Sequence, residues 1–588
     1  MDGRTRVLRV DLTAGEVRFE TVPEAWRRRY VGGKGLGARY LYEELPAGTD
    51  PLGPENLLCF LLGPLSGYLP GESRYAAVTK SPLTGAFLDS YSGGTFPDRL
   101  AGSLPDCLGV IVEGEAAEPT ALVVGDGDPR LESAADVAGA DTVETAAAYP
   151  DAAVACVGPA GEAAVAFATI ASDGGEHHAG RGGAGAVMGS KNLKAVVARG
   201  DPPEVPDALA DLHERDAAAF GDDDTGRWQA AGETLESVDF AAEVGVLPAH
   251  GWREQADEVD DIGIEAATEA AVGRENPEAA VPGGFRVETD DGETVPRGAA
   301  PMTLGAGLGL DDFDAVAALG GACDRLGVDV ITAGNAVAWA VRTGEVDFGF
   351  GDEDAARMLI ERIARREGDL ADALADGVDA AAVRYGGDDY VPTVKSMELP
   401  AYDPRGALGM ALAYATSDRG GCHRRARPIE EEVFREDATA ADRVRAVVGA
   451  QNARSVLWSL VVDDFAGETL WADRGAEWLD ALGVPHDDLS TVGERVWTLV
   501  RLFNAREGFD RADDALPEWF DESLPEGDTP AAGRAVDPAA FGRLLDAYYD
   551  ARGWDADGLP TRETCGRLDL PTDALPATAD RTRVDTDD

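Results

Sequence analysis

The sequence predicts an α+β protein, with an N-terminal sheet-rich domain followed by two mainly α-helical domains. Three observations predict this. At 588 residues the chain exceeds what a single core holds, so two to four domains are expected. Its first 200 residues are dominated by short apolar runs punctuated by Gly, Pro and Asp, the pattern of strands and turns. From Ala208 onward helical periodicity takes over, with Ala-rich stretches and few β-branched runs. The expected boundaries are 1–200 for the sheet-rich domain, 208–400 for a helical middle domain and 401–575 for a helical C-terminal domain. Residues 576–588 read as a disordered acidic tail.

Residues 6–22, RVLRVDLTAGEVRFETV, alternate apolar and polar on either side of Thr13-Ala14-Gly15, which predicts a hairpin. From Gly32 to Leu45 a Gly-rich turn runs into a helix. Its GGxGxGA spacing suits either a phosphate at the helix N-terminus or tight helix–sheet packing. Residues 57–62, LLCFLL, read as a buried strand stopped by Gly63-Pro64, and strand-like runs recur at 74–79, 107–112, 121–124 and 152–157. Residues 201–206, DPPEVP, read as a linker. Asp311 is the expected N-cap of a helix running to about Leu326 and stopped by Gly327.

The net charge is −57, from 109 acidic and 52 basic residues, and only Lys34, Lys80, Lys191, Lys194 and Lys395 are lysines. A carboxylate surface nearly without Lys points to a halophilic protein working in molar salt, where the Debye length is about 3 Å and self-repulsion is screened. No basic face marks a nucleic-acid partner. No apolar run reaches the roughly 18 residues that span a bilayer, and the N-terminus lacks the apolar core of a signal peptide; the expected location is cytoplasmic. The six cysteines include no CxxC or similar pair, so buried thiols are expected rather than a locally encoded metal site.

Chemistry concentrates in 401–426, AYDPRGALGMALAYATSDRGGCHRRA, where Gly residues accompany Arg405, Arg419, Cys422, His423 and Arg424. Glycines permit sharp turns and close backbone approach. Arginines offer forked donors to phosphate or carboxylate. A His titrating near neutrality beside them is a candidate proton carrier. A plain surface helix-loop-helix is the alternative reading of the same residues.

The ordered string resembles AYDPRG…ATSxRGxCH of the aldehyde:ferredoxin oxidoreductase family, which are tungsten–pterin enzymes. The resemblance extends through GGKGLGARYLYEEL from Gly32, KSPLTG from Lys80, GRGGAGAVMGSKNLKAV from Gly180, CDRLGVD from Cys323, RLFNAREGFDRADD from Arg501 and YYDARGWDADGLPTRE from Tyr548. It implies that the first domain is a base on which two pterins sit with tungsten or molybdenum between them. It implies cofactor contacts at Arg74, at Gly93 in SYSGG, and at Arg181, Gly182 and Gly183. It further implies contacts at Asp324, Gly327, Val328 and Asp329, with His423 as the proton-handling catalytic residue.

Several positions depart from the family pattern. Tyr91 replaces an Asn and Trp458 an Asp of the pterin motifs. The four cysteines that hold the family's [4Fe–4S] cluster correspond to Glu278, Val281, Phe285 and Asp463. Thiolates hold such clusters and Val and Phe cannot, so no cluster is expected. A carboxylate in the family's PEYE segment becomes Ala299 in PRGA, and an ExxH that bridges subunits is lost around Ala318 and Gly321. The resemblance therefore implies one of two functions. One is an oxidoreductase turning an aldehyde into a carboxylic acid, with ferredoxin or another electron acceptor. The other is a degenerate paralogue that binds pterin or pairs with an intact homologue. A homodimer is a further possibility for its assembly.

Overall fold

The computed structural model of the protein describes residues 3–256, 258–279, 281–435, 437–463, 466–467 and 474–575. The tail expected at 576–588 lies outside the described residues. The N-terminal hairpin forms as expected. Strand β1 (Arg6–Asp11) pairs antiparallel with β2 (Glu16–Thr21), turning at Gly15, whose φ of 67° suits glycine. The remaining strands of the first sheet are β3 (Leu58–Leu61), β4 (Tyr75–Lys80), β5 (Phe87–Ser92) and β6 (Cys107–Glu113). They stand in the order β2-β1-β6-β3-β4-β5, with only β1 and β6 parallel.

A second sheet follows from β7 (Thr120–Val124), β8 (Arg130–Ser133), β9 (Ala153–Cys156), β10 (Ile170–Ser172), β11 (His177–Ala179) and β12 (Leu193–Ala198). Its order is β11-β10-β9-β12-β7-β8, and β12 runs parallel to β7. The two-residue period of the strands divides the first sheet's faces. Leu58, Phe60, Tyr75 and Ala77 share one core with Leu122, Val124, Ala155 and Val196 of the second sheet. Their neighbours Cys59, Leu61, Ala76 and Val78 face a different core, built with Leu36, Leu41, Trp458, Val496 and Leu499. The first sheet is thus sandwiched between the second sheet and helices, most of them from the far end of the chain.

The glycines of the helix Gly33–Glu44 serve this packing. A Cβ on Gly33 would stand 2.2 Å from the Trp458 carbonyl oxygen, one on Gly35 2.4 Å from that of Tyr30, and one on Gly37 2.8 Å from Val78. Close packing accounts for the spacing, but only Gly37 meets the sheet; Gly33 and Gly35 meet the backbone of a distant helix and of the preceding helix.

The 201–206 segment carries no regular structure, and helices dominate beyond it. The helix Phe313–Leu326 is capped by Asp312 rather than Asp311, because the Asp312 carboxylate accepts the Asp314 N–H at 2.9 Å. Gly327 ends it at φ 73°. A three-stranded antiparallel sheet, Ala271–Arg274, Phe285–Thr289 and Gly292–Thr294, interrupts the helical middle region. Near the C-terminus the helix Ala440–Leu460 packs on Leu489–Arg506, Pro538–Arg552 and Gly33–Glu44. Among the described residues no helix is long and apolar enough to cross a membrane, and all six cysteines are buried free thiols.

Candidate active site

A cavity of about 330 Å³ opens where the first two sheets, the middle helices and the loop after Thr416 converge. Of the residues singled out from sequence, Arg74, Gly93, Arg181, Asp324, Val328, Asp329 and His423 line it. Gly182, Gly183 and Gly327 stand behind the lining and shape it. A Cβ on Gly183 would meet the Ala166 carbonyl oxygen at 2.1 Å, and all three glycines have positive φ. Arg405, by contrast, turns away and pairs with Asp403 at 2.6 Å.

One wall is the DRLGVD motif. After the Gly327 turn, Val328 bridges to Ala168, and Asp329 caps the helix Val330–Thr343 by accepting the Thr332 N–H at 2.9 Å. Arg181 is committed as well. Its guanidinium donates to the carbonyls of Glu398 and Gly421, with Nε 3.5 Å from Asp329. It fastens the 419–423 loop to this wall.

Asp324 remains beside His178, 3.3 Å from its Nε2, with Thr294 Oγ1 at 3.5 Å. Burial raises its carboxyl to about 7, opposed by Arg297. Burial lowers His178 to about 4. The neutral ring donates Nε2–H to the Gly175 carbonyl at 2.9 Å and accepts from Thr169 Oγ1 at 2.7 Å.

The opposite wall carries His423, in a short 3₁₀ turn, His423–Arg425. Its ring centroid lies 5.6 Å from that of Tyr402, and its Nδ1 is buried with no hydrogen-bond partner. The sequence suggested titration near neutrality. The structure corrects this: burial, then the charges of Arg427 and Arg424, hold the imidazole well below its usual range and therefore neutral. Burial, with Arg74 and Arg419, lowers Arg424 to about 9. Behind this wall Cys422 is buried. Burial would raise its thiol, but Arg419, whose Nη2 lies 3.2 Å away, together with Arg425 and Arg181, brings it to about 6.

The cavity floor joins two of the departures noted in sequence. Tyr91 stacks on Trp458, with centroids 5.2 Å apart and planes at 23°, and Arg425 lies over Trp458 at 4.3 Å. Beneath them is a buried ionic cluster. Lys34 pairs with Asp89 at 3.4 Å and with Asp418; Arg425 pairs with Asp418 at 2.7 Å and with Asp89. Tyr91 also donates to Asp89 at 2.6 Å. Burial opposes ionisation of Asp89, but Arg425, Lys34 and Arg419 outweigh it and hold its carboxyl well below the usual range.

The four positions that the resemblance sets against cluster cysteines hold no thiolate. Glu278 is exposed, Val281 packs against apolar side chains, and Phe285 is buried beneath the Arg274 guanidinium at 4.1 Å. Asp463 accepts from Arg74 at 2.8 Å, and Arg74 also meets Glu72 at 2.8 Å. This donor set does not fit an iron–sulfur cluster. At the PRGA segment Ala299 lines the cavity without a carboxylate, while Arg297 reaches Glu275 at 2.7 Å and Glu233 at 3.3 Å.

Residues 7–200 match the N-terminal domain of aldehyde ferredoxin oxidoreductase, and residues 213–570 match its domains 2 and 3. The chain belongs to the aldehyde ferredoxin oxidoreductase family. The tungsten-containing aldehyde ferredoxin oxidoreductase of Pyrococcus furiosus is 34% identical, over 96% of this chain and 98% of the relative. That of Thermococcus kodakarensis is also 34% identical with the same coverage. The aliphatic sulfonate oxidoreductase, WOR-like subunit, of P. furiosus is 28% identical over 96% of each chain. The fold matches a chain of the active-site complex BamBC of benzoyl coenzyme A reductase, with a TM-score of 0.80, 22% identity and 97% of both chains covered.

Within this family frame, sequence reasoning missed His178, Arg297, Arg427 and Arg454, all on the cavity wall. The adjacent pair His177-His178 was a readable signal in a chain with six histidines. Arg454 was not readable, since its helix Ala440–Leu460 carries several arginines and only packing distinguishes the buried one.

Proposed function

We propose that the protein oxidises an aldehyde to a carboxylic acid, using a tungsten or molybdenum bis-pterin centre held in the cavity. The observation that carries this reading is the convergence of Arg74, Gly93, Arg181, Asp324, Val328, Asp329 and His423 on one cavity. Buried polar atoms without hydrogen-bond partners there, Thr303 Oγ1, Arg419 Nε and His423 Nδ1, support a polar occupant. The names of the tungsten-containing relatives support the metal.

In the overall reaction an aldehyde and water give a carboxylic acid, two electrons and two protons. When bound, the metal–pterin centre supplies the redox chemistry and the oxygen-atom transfer. Asp324 and Asp329 would accept hydrogen bonds from pterin amino groups, and Arg74, kept in place by Asp463, would face the cofactor beside Gly93. The neutral His423 imidazole would accept a proton at Nδ1. The 419–427 loop and the Tyr91–Trp458 stack would exclude water from the floor. With glutamate, valine, phenylalanine and aspartate at the cluster positions, the electrons would leave without an internal [4Fe–4S] relay, directly to ferredoxin or another external acceptor.

A second reading is favoured by Ala299 and by the stack that replaces the Asn and Asp of the pterin motifs. The protein would then be a pterin-binding partner of an intact oxidoreductase subunit, as the WOR-like subunit relative suggests.

Elemental analysis of protein from a host given tungstate and molybdate separates these readings. Oxidation predicts about one tungsten or molybdenum per chain with little iron, and His423→Ala should keep that metal and lose aldehyde turnover. Roughly four irons per chain would overturn the cluster-free reading, and absence of all three metals favours the degenerate protein.

A further inference from the structure

His177 opens β11 at the cavity edge, ringed by carboxylates that the proposed reaction does not use. Its Nδ1 lies 3.2 Å from Glu72, and its Nε2 lies 3.5 Å from Glu275, whose side chain is 7% exposed. Glu176 precedes it in the chain. One metal-binding atom from each of Glu176, His177 and Glu275 lies within 4.8 Å of the other two. The 3.5 Å gap between Nε2 and Glu275 exceeds an ordinary N–H···O bond. It matches instead the separation of about 3.4 Å between two ligands held at about 2.1 Å by a tetrahedral cation. A proton on Nδ1, facing Glu72, leaves the Nε2 lone pair for that cation, the carboxylate–histidine arrangement common to metal sites. The carboxylates are held in place but not used up. Arg286 grips Glu176 at 2.6 and 3.1 Å, while Arg297 and the Gly284 N–H reach Glu275 at 2.7 and 2.5 Å. A carboxylate offers about four lone-pair sites, so each keeps room for a cation. Charge points the same way. Among the described residues, Arg286 pairs with Glu176 and Glu293, Arg297 with Glu233 and Glu275, and Arg74 with Glu72. Three guanidiniums thus serve five carboxylates, a surplus of two negative charges. Arg274 lies beyond ion-pairing distance and bonds the Gly283 carbonyl.

We propose that Glu176, His177 and Glu275 bind one divalent cation of the zinc type, with water as the fourth ligand. Glu72 orients the imidazole, and Arg286 and Arg297 steady the two ligating carboxylates. One imidazole and two carboxylates suit zinc, whereas magnesium favours oxygen ligands alone. The ion clamps β11 to the three-stranded sheet of the middle region, because Glu275 follows the strand Ala271–Arg274 and Arg286 lies on the strand Phe285–Thr289. Zinc has no redox chemistry, so the site stands apart from the oxidation reading.

The test is a calorimetric titration of Zn²⁺ into the full-length protein after washing with EDTA, in molar KCl with excess Mg²⁺ to occupy the acidic surface. Co²⁺ serves as a coloured probe of the same site, read as a difference spectrum. About one Zn²⁺ per chain should bind and displace the Co²⁺ band. His177→Gln or Glu275→Gln should weaken Zn²⁺ binding by about tenfold or more. Glu176→Gln, on the more exposed carboxylate, provides a third variant if the buried ones misfold. Binding of one equivalent that any of these substitutions weakens upholds the site. Absence of stoichiometric binding leaves His177 as an imidazolium between Glu72 and Glu275 and overturns the proposal. Zinc bound with an affinity that all three substitutions leave unchanged belongs elsewhere on the acidic chain and overturns it too. None of these results depends on whether an aldehyde is oxidised.

Discussion

Asp324 is the cavity carboxyl whose proton is held closest to neutrality, and this ties the site to the stability of the whole chain. Its folded value of about 7 lies above the ordinary carboxyl value of about 3.9. The native state therefore keeps a proton through a range in which the unfolded chain has lost it. Its favourable contribution is complete below about pH 4 and is lost as pH rises to about 7. Asp324→Asn should flatten that part of the profile. The urea midpoint of the wild type should drop more between pH 5 and 8 than that of the variant, and equal drops would count against the assignment. Glu398, raised by burial to about 7, remains in both proteins and cancels in the comparison. Asp324 could be picked out in sequence because CDRLGVD resembles a motif of the family. Its proton affinity was hidden, since burial is a property of the assembled walls. The same blindness explains His423: Arg424 was visible beside it in sequence, but not that folding encloses the imidazole and brings Arg427 to bear on it as well.

At the scale of elements, the helix Gly33–Glu44 shows how far a local pattern can be read. The glycine spacing announced a close approach, and only the partner was open. The partner proves to be the backbone at Trp458 and Ser459, with Gly32 also near Leu62. A Gly33→Ala methyl would stand 2.2 Å from the Trp458 carbonyl oxygen and 2.4 Å from a Val461 methyl. Overpacking of this kind typically costs about 1–3 kcal/mol, with the positive φ at this position adding strain. Denaturant unfolding should show a loss of about 3 kcal/mol, with the metal content of the folded fraction falling as the cavity floor shifts. An unchanged midpoint would contradict the packing. Elements with weaker patterns were not legible. The strands Ala271–Arg274 and Phe285–Thr289 contain Gly, Glu and Arg, and pairing rather than propensity holds them.

Across the whole molecule, the order of a sheet-rich part and two helical parts was readable from the change in hydrophobic period near residue 200. The docking of the last helices onto the first sheet was not, because such contacts leave no local signature. Tyr91 and Trp458 illustrate this. Each is an isolated oddity in sequence, and together they form one stack. Charge acts at this scale too. A net charge of −57 implies strong self-repulsion, which added salt screens while leaving the buried Lys34–Asp89–Asp418–Arg425 cluster largely untouched. Thermal melts should therefore shift upward as KCl rises from about 0.2 M to about 3 M. A downward shift would show that exposed ion pairs outweigh repulsion.

The buried Lys34–Asp89–Asp418–Arg425 cluster has a further consequence. Its members come from the helix Gly33–Glu44, from β5 and from the loop after Thr416, so its pairs close only when these distant segments meet. Removing one acid there would leave two buried cations facing a single partner, and the fault would be felt in how far-apart parts of the chain dock rather than in any one of them.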